Sequence, residues 1–157
     1  MKLFLSFFIF FILQITLFPF LSISGVVFNG ILILILLLGF FRIRWVVLIL
    51  PALIIGIVLD VVSAMPFGLF AMTYGITTFL LVITALYIPY EHSLHFMIYL
   101  FVGTFFFNGV LWMLLYIYRI VPTYMTLHYM IMSIVYNIIG GIVCYGLLCK
   151  KIRKITH

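Results

Sequence analysis

The chain reads as an all-α polytopic membrane protein that crosses its bilayer six times and keeps both termini cytoplasmic. Three observations lead there. Of 157 residues, 69% are hydrophobic and only 6% charged, against about 25% charged in a soluble domain, so lipid must solvate most of the surface. Mean hydropathy is +1.52. The apolar residues also fall into six runs, each close to the roughly 17–25 residues that a spanning helix needs. A barrel strand would alternate apolar and polar positions over about ten residues. These runs do not alternate, so helices are expected.

The first run, residues 3–21, ends at Pro19 and at Ser22-Ile-Ser24-Gly25. It exceeds the roughly 7–15-residue core of a cleaved signal sequence, and is read as a retained helix. Arg42-Ile-Arg44 splits the second run, 25–41, from the third, 45–62. Pro66 and Gly68 reset the chain before the fourth, 67–88, which Pro89-Tyr-Glu-His-Ser93 closes. The segment from Arg119 to His128, with Pro122 inside it, separates the fifth run, 94–118, from the sixth, 129–149. Residues 1–149 therefore make one transmembrane domain, and 150–157 a basic cytoplasmic tail. No repeat links the halves, which counts against an inverted-repeat transporter.

Lysine and arginine placement sets the orientation. With both ends inside, Lys2, Arg42, Arg44, Lys150, Lys151, Arg153 and Lys154 are cytoplasmic and Arg119 alone is external. Only an even number of spans gives that bias. Trp45 and Tyr90 then fall at the inner interface, and Tyr118, Tyr124 and Tyr129 at the outer one, where aromatic belts form. The net charge of +6 is thus a topology signal and needs no nucleic acid; the basic tail can touch anionic lipid of the bilayer.

Polar residues gather toward the outer half: Gln14 on the first helix, Asn29 on the second, Asp60 and Ser63 at the end of the third, Thr73, Tyr74, Thr77 and Thr78 on the fourth, and Asn137 on the sixth. Asn108 falls near mid-depth. Ala52, Gly56 and Asp60, then Thr104 and Asn108, then Ser133, Asn137 and Gly141 form stripes at helical spacing, where small residues let backbones approach and amides bond across. Such stripes serve either as packing contacts or as the wall of an outward polar pocket or partner groove. Asp60, the only aspartate, ends a long apolar run, and ionisable groups at such places usually face a partner or a cavity. Three roles stay open for it: a carboxylate on interfacial water or on backbone N–H groups at the start of the next helix, near Ser63; an ion pair with Arg119; or a partner or ligand contact.

Enzyme signatures are missing. No phosphate-binding loop, His-Glu-x-x-His or Gly-x-Ser-x-Gly occurs, and the single Asp and single Glu lie on opposite sides of the membrane, which removes paired-carboxylate chemistry. Glu91-His92-Ser-Leu-His95 is the only cluster of metal-ligand types and reads as a polar inner loop, so no metal or other cofactor is expected. Cys144 and Cys149, five apart in one apolar run, imply neither a disulfide framework nor a zinc site.

One stretch is individual: Gly56-Ile-Val-Leu-Asp60-Val-Val-Ser63-Ala-Met-Pro66-Phe67-Gly68-Leu-Phe-Ala-Met-Thr-Tyr74. It resembles the hallmark of the rod-shape-determining MreD family, which reads Gly-Leu-x-x-Asp, a small or hydroxyl residue, Pro-Leu-Gly, and a tyrosine further on. Phe67 stands where that family has leucine, and Met65 precedes the proline. Chain length, six spans and a short basic tail are similar too. The resemblance implies a non-enzymatic inner-membrane protein of the bacterial elongation machinery. Its partners would be the single-span protein MreC and, through it, the peptidoglycan synthases and MreB filaments. It also implies a bundle like the substrate-capturing S components of energy-coupling-factor vitamin transporters. Carried onto this chain, it marks Asp60 as a polar anchor, Pro66 as a helix start, Gly68 as a close-approach point and Tyr74 as an amphipathic surface. An S component proper is the alternative, although many carry Ala-x-x-x-Ala on the first helix and this chain has no alanine before Ala52.

Overall fold

A helix that is apolar on every side belongs at the centre of a bundle, and Gly30-Ile-Leu-Ile-Leu-Ile-Leu-Leu-Leu-Gly-Phe40 is the stretch that meets this condition. In the computed structural model every residue of that helix is buried, and it touches each of the other five helices. The structure describes residues 2–22, 26–41, 45–87, 93–120 and 127–156, and not the side chains of 2–7, 18, 21, 45, 93, 127 and 147–156. Arg42, Arg44, Tyr90, Glu91, His92, Pro122 and Tyr124 lie outside the described residues, as do the side chains of Lys2, Trp45, Cys149 and the basic tail.

Among the described residues there are six α-helices and no strand: α1 (Lys2–Thr16), α2 (Gly30–Phe40), α3 (Trp45–Val62), α4 (Leu69–Tyr87), α5 (Ser93–Ile117) and α6 (Leu127–Thr156), with a 3₁₀ turn at Phe18–Leu21. Each apolar run has become a helix, the third with the expected bounds and the others with corrected ones. Pro19 holds the end of the first run in the 3₁₀ turn instead of in α1. The second run loses its first five residues and leaves an 11-residue helix, about 16 Å long at 1.5 Å per residue. Asn29 is the reason: its Oδ1 accepts the N–H of Leu32 at 3.0 Å, a side-chain cap that starts the helix there. In the fourth run, helix begins at Leu69 and not at residue 67. The basic stretch from Lys150 is no separate tail in backbone terms, because α6 runs through it to Thr156. By length and composition Leu69–Tyr87, Leu94–Ile117 and His128–Gly146 can cross a membrane, whereas Gly30–Phe40 and Val46–Val62 are shorter apolar helices.

Neighbours in sequence pack side by side: α3 on α4 most extensively, then α4 on α5 and α5 on α6. The small stripe of α3 faces α4. A Cβ on Gly56 would stand 2.4 Å from Ala71 Cα, so only glycine permits that approach, and Ala52 beside it is buried. At the end where α2 finishes, rings close the bundle: Phe96 stacks on Tyr145 at 4.7 Å and meets Phe40 edge-on at 5.2 Å. Tyr99 donates to the Leu81 carbonyl there at 2.8 Å. The opposite end, where α2 starts, is polar and open.

Candidate functional site

Asp60 organises the α3–α4 hairpin from both of its polar groups. Its backbone carbonyl accepts the N–H of Met65 at 3.2 Å while Ala64 turns to a left-handed φ of 53°, a closure of Schellman type for α3. Its carboxylate then opens α4. Oδ2 accepts from Gly68 N–H at 2.9 Å, Oδ1 from Phe70 N–H at 2.6 Å, and Ala71 N–H approaches Oδ2 at 3.4 Å. Leu69 N–H, the remaining donor of that first turn, goes to the Pro66 carbonyl at 3.1 Å. The orphan N–H groups that every helix start leaves are thus accounted for, and the negative charge sits where the helix dipole favours it. The side chain is 1% exposed.

This geometry decides among the roles that the sequence left open. The carboxylate takes the backbone N–H groups of the next helix. Arg119, exposed just beyond α5 with a φ of 57°, forms no ion pair with it among the described residues. Ser63 does not cap α4; its hydroxyl donates back to the Leu59 carbonyl. Pro66 lies in the turn and contributes a carbonyl, so its role as a helix start is corrected. Gly68 has open space around it and a φ of 94°: it is required for its backbone angle and not for a close approach, which belongs to Gly56. Tyr74 offers no surface, being 2% exposed.

A second constellation forms around the start of α2. Gln14 on α1 holds the non-helical chain on both sides of Asn29, donating from Nε2 to the Phe28 carbonyl at 3.0 Å and accepting Gly30 N–H on Oε1 at 2.9 Å. Asn29 N–H donates to Asn137 Oδ1 on α6 at 3.1 Å. Tyr74 Oη donates to Asn29 Oδ1 at 2.8 Å. Below them, Asn108 Nδ2 joins α5 to α6, donating to the Ser133 hydroxyl at 3.1 Å and to the Thr104 carbonyl at 3.0 Å. Gln14, Asn29, Tyr74 and Asn137 therefore come together; Asn108 and Ser133 make a second pair, and Asp60 a third centre.

The group around Asn29 and the Asn108–Ser133 pair, but not Asp60, line one cavity of about 310 Å³, closed further by Leu59, Phe70, Phe107 and Leu111. All six helices or their connections reach it, which brings the C-terminal ends of α1, α3 and α5 to the N-terminal ends of α2, α4 and α6. The cause is the short central helix, which leaves the volume above its first turn unfilled. Among the described residues no charged side chain lines it.

Sequence reasoning missed three features. Phe28 packs against Gly140, whose added Cβ would fall 1.7 Å from the ring; an aromatic directly before a capping-type Asn-Gly gives no periodic signal. Thr77 and Thr104 bury hydroxyl oxygens that have no partner among the described residues, although neither lines the cavity. The hub role of Asn29 was signalled only by its place before Gly30. Among the described residues no group of acidic, histidine or cysteine side chains could hold a metal ion. Comparisons of the chain with protein-family models, curated proteins and solved structures returned no match.

Proposed function

We propose that the chain is a non-enzymatic scaffold of the bacterial cell-elongation machinery, an MreD-type protein of the inner membrane that crosses it six times with both ends in the cytoplasm. It binds a single-span MreC-like partner and through it supports rod shape and lateral peptidoglycan synthesis, linked to the synthases and the MreB filaments. One observation carries the reading. Of the residues on which the resemblance rests, Asp60 is hydrogen-bonded to Gly68 and Pro66 to Leu69 within one hairpin, with Gly56 at its closest approach. A motif used in this way fixes a shape. Both oxygens of the carboxylate are engaged by backbone N–H groups of the next helix, a structural task that favours a scaffold over a proton-coupled carrier or an enzyme.

Affinity purification from rod-shaped cells tests the reading: a single-span partner and elongation proteins are the expected catch, and recovery of none of them rejects it. Reporters at the two chain ends test the topology, and labelling of either end from outside intact cells rejects six crossings with cytoplasmic termini. A second reading, the S component of a vitamin transporter, is favoured by the cavity. Saturable capture of a vitamin together with co-purification of a coupling subunit would support it over the scaffold.

A further inference from the structure

We propose that the cavity at the start of α2 is a binding site for one uncharged small molecule that carries both an N–H or O–H donor and a carbonyl or hydroxyl acceptor, such as a carboxamide or a lactam. Two unengaged polar atoms point to it. Asn108 and Asn137 line the cavity and are 4% and 2% exposed. Asn108 Nδ2 donates to a backbone carbonyl, and Asn137 Oδ1 accepts a backbone N–H. Each of those partners has a single sense, so neither amide can be turned round. Asn108 Oδ1 is thereby left as an acceptor and Asn137 Nδ2 as a donor, with no partner for either among the described residues.

Polar atoms of buried residues that lack partners in the protein find them in water or in a ligand. Water alone would suit a small polar void. This one is larger, at about 310 Å³, inside the range of roughly 300–1,000 Å³ usual for small-molecule sites. Tyr74 and Phe107, 4.9 Å apart, and Leu111 give it an apolar wall for a flat group. Charge is excluded by the same surroundings: among the described residues the lining holds no charged side chain, and Asp60 already has its N–H partners. A carboxylate or ammonium group would be desolvated there without compensation. The proposal stands apart from the scaffold reading, since a scaffold with or without a bound molecule would still recover its partner.

The test uses the full chain in lipid nanodiscs at neutral pH with two matched probe pairs: nicotinamide against nicotinate, and uracil against orotate. Ligand-observed NMR and calorimetry read the binding. At least one uncharged probe is expected to bind saturably at millimolar concentration or below, with its carboxylate counterpart weaker by about tenfold or more, because its charge is desolvated there without compensation. Leu111→Trp, which fills the cavity and touches none of the hydrogen bonds, should abolish binding. Asn137→Leu removes the donor at nearly the same side-chain volume and should weaken binding about tenfold. Thermal unfolding without probe shows whether each variant has kept its fold, and the two variants fail independently. Absence of saturable binding by both uncharged probes, equal binding within each pair, or binding indifferent to both folded variants overturns the proposal.

Discussion

Replacing Asp60 is the sharpest test of how the hairpin is built. Two of its hydrogen bonds are short, 2.9 Å from Gly68 N–H and 2.6 Å from Phe70 N–H, and the third, at 3.4 Å from Ala71 N–H, is weak. A hydrogen bond to a charged group contributes about 1.5–3 kcal/mol, and a buried donor left unpaired costs about 1–3 kcal/mol. With two strong bonds lost and part of the helix start able to reach water, Asp60→Ala should destabilise by about 3–4 kcal/mol. Asp60→Asn is more telling. One oxygen can still take Phe70 N–H, but the amide NH₂ then faces the N–H of Gly68, donor against donor, and a cost of about 2 kcal/mol remains. If Asp60 instead served a partner or an external ligand, the asparagine would leave the isolated protein unchanged. Equilibrium unfolding in mixed micelles, followed by circular dichroism, measures both variants. Hydrogen exchange at Phe70 should accelerate in parallel. Stability of Asp60→Asn within about 0.5 kcal/mol of the parent, the margin for substitutions that touch no such feature, would refute the capping argument.

Further outcomes follow from the same geometry. Gly56→Ala and Gly68→Ala should differ in cause and size: the first forces α3 off Ala71 and costs about 1–3 kcal/mol as overpacking, the second only puts a side chain at a φ of 94° and costs about 1–2 kcal/mol. Unfolding midpoints rank them, and a larger loss at Gly68 would count against the packing account. Asp60→Asn combined with Arg119→Gln should be additive within about 0.5 kcal/mol in a double-mutant cycle, because no ion pair joins them; a clear coupling energy would restore the pair. Tyr74→Phe removes the bond to Asn29 Oδ1 and should cost about 1 kcal/mol, since Leu32 N–H still occupies that oxygen. No loss of stability in that variant would show that the Tyr74–Asn29 contact contributes nothing.

Much of the bundle was legible because strongly apolar helices announce themselves by composition. The third run coincides with α3 at both ends, and the stripe of Ala52, Gly56 and Asp60 turned out to be the face toward α4, as spacing by four predicts. Depth counting along alternating helices put Gln14, Asn29, Tyr74 and Asn137 in one half of the membrane, and they are in fact bonded together. What could not be read was which residue meets which. Tyr74 and Asn29 are 45 positions apart and Asn29 and Asn137 are 108 apart, so only the folded path joins them. Within the motif, residue types were informative but their tasks were interchanged. A glycine is equally suited to close approach and to positive φ, and only the backbone shows that Gly56 does the former and Gly68 the latter.

The length of α2 was hidden for a different reason, and the cavity depends on it. Val26-Val-Phe28 is as apolar as the helix that follows, so hydropathy alone continues the helix through it. The backbone of this stretch stays non-helical because its polar groups have partners elsewhere: Gln14 takes the Phe28 carbonyl and the Gly30 N–H, and Asn137 takes Asn29 N–H. A backbone group shut away from water must be satisfied within the protein, and these amides satisfy it without a helical turn. Extending α2 upward would fill the void with a turn of Val and Phe side chains, but would strand Gln14 and Asn137 as buried amides without partners. The polar residues and the cavity are thus one feature: the amides hold the central helix short, and the short helix leaves room beside them.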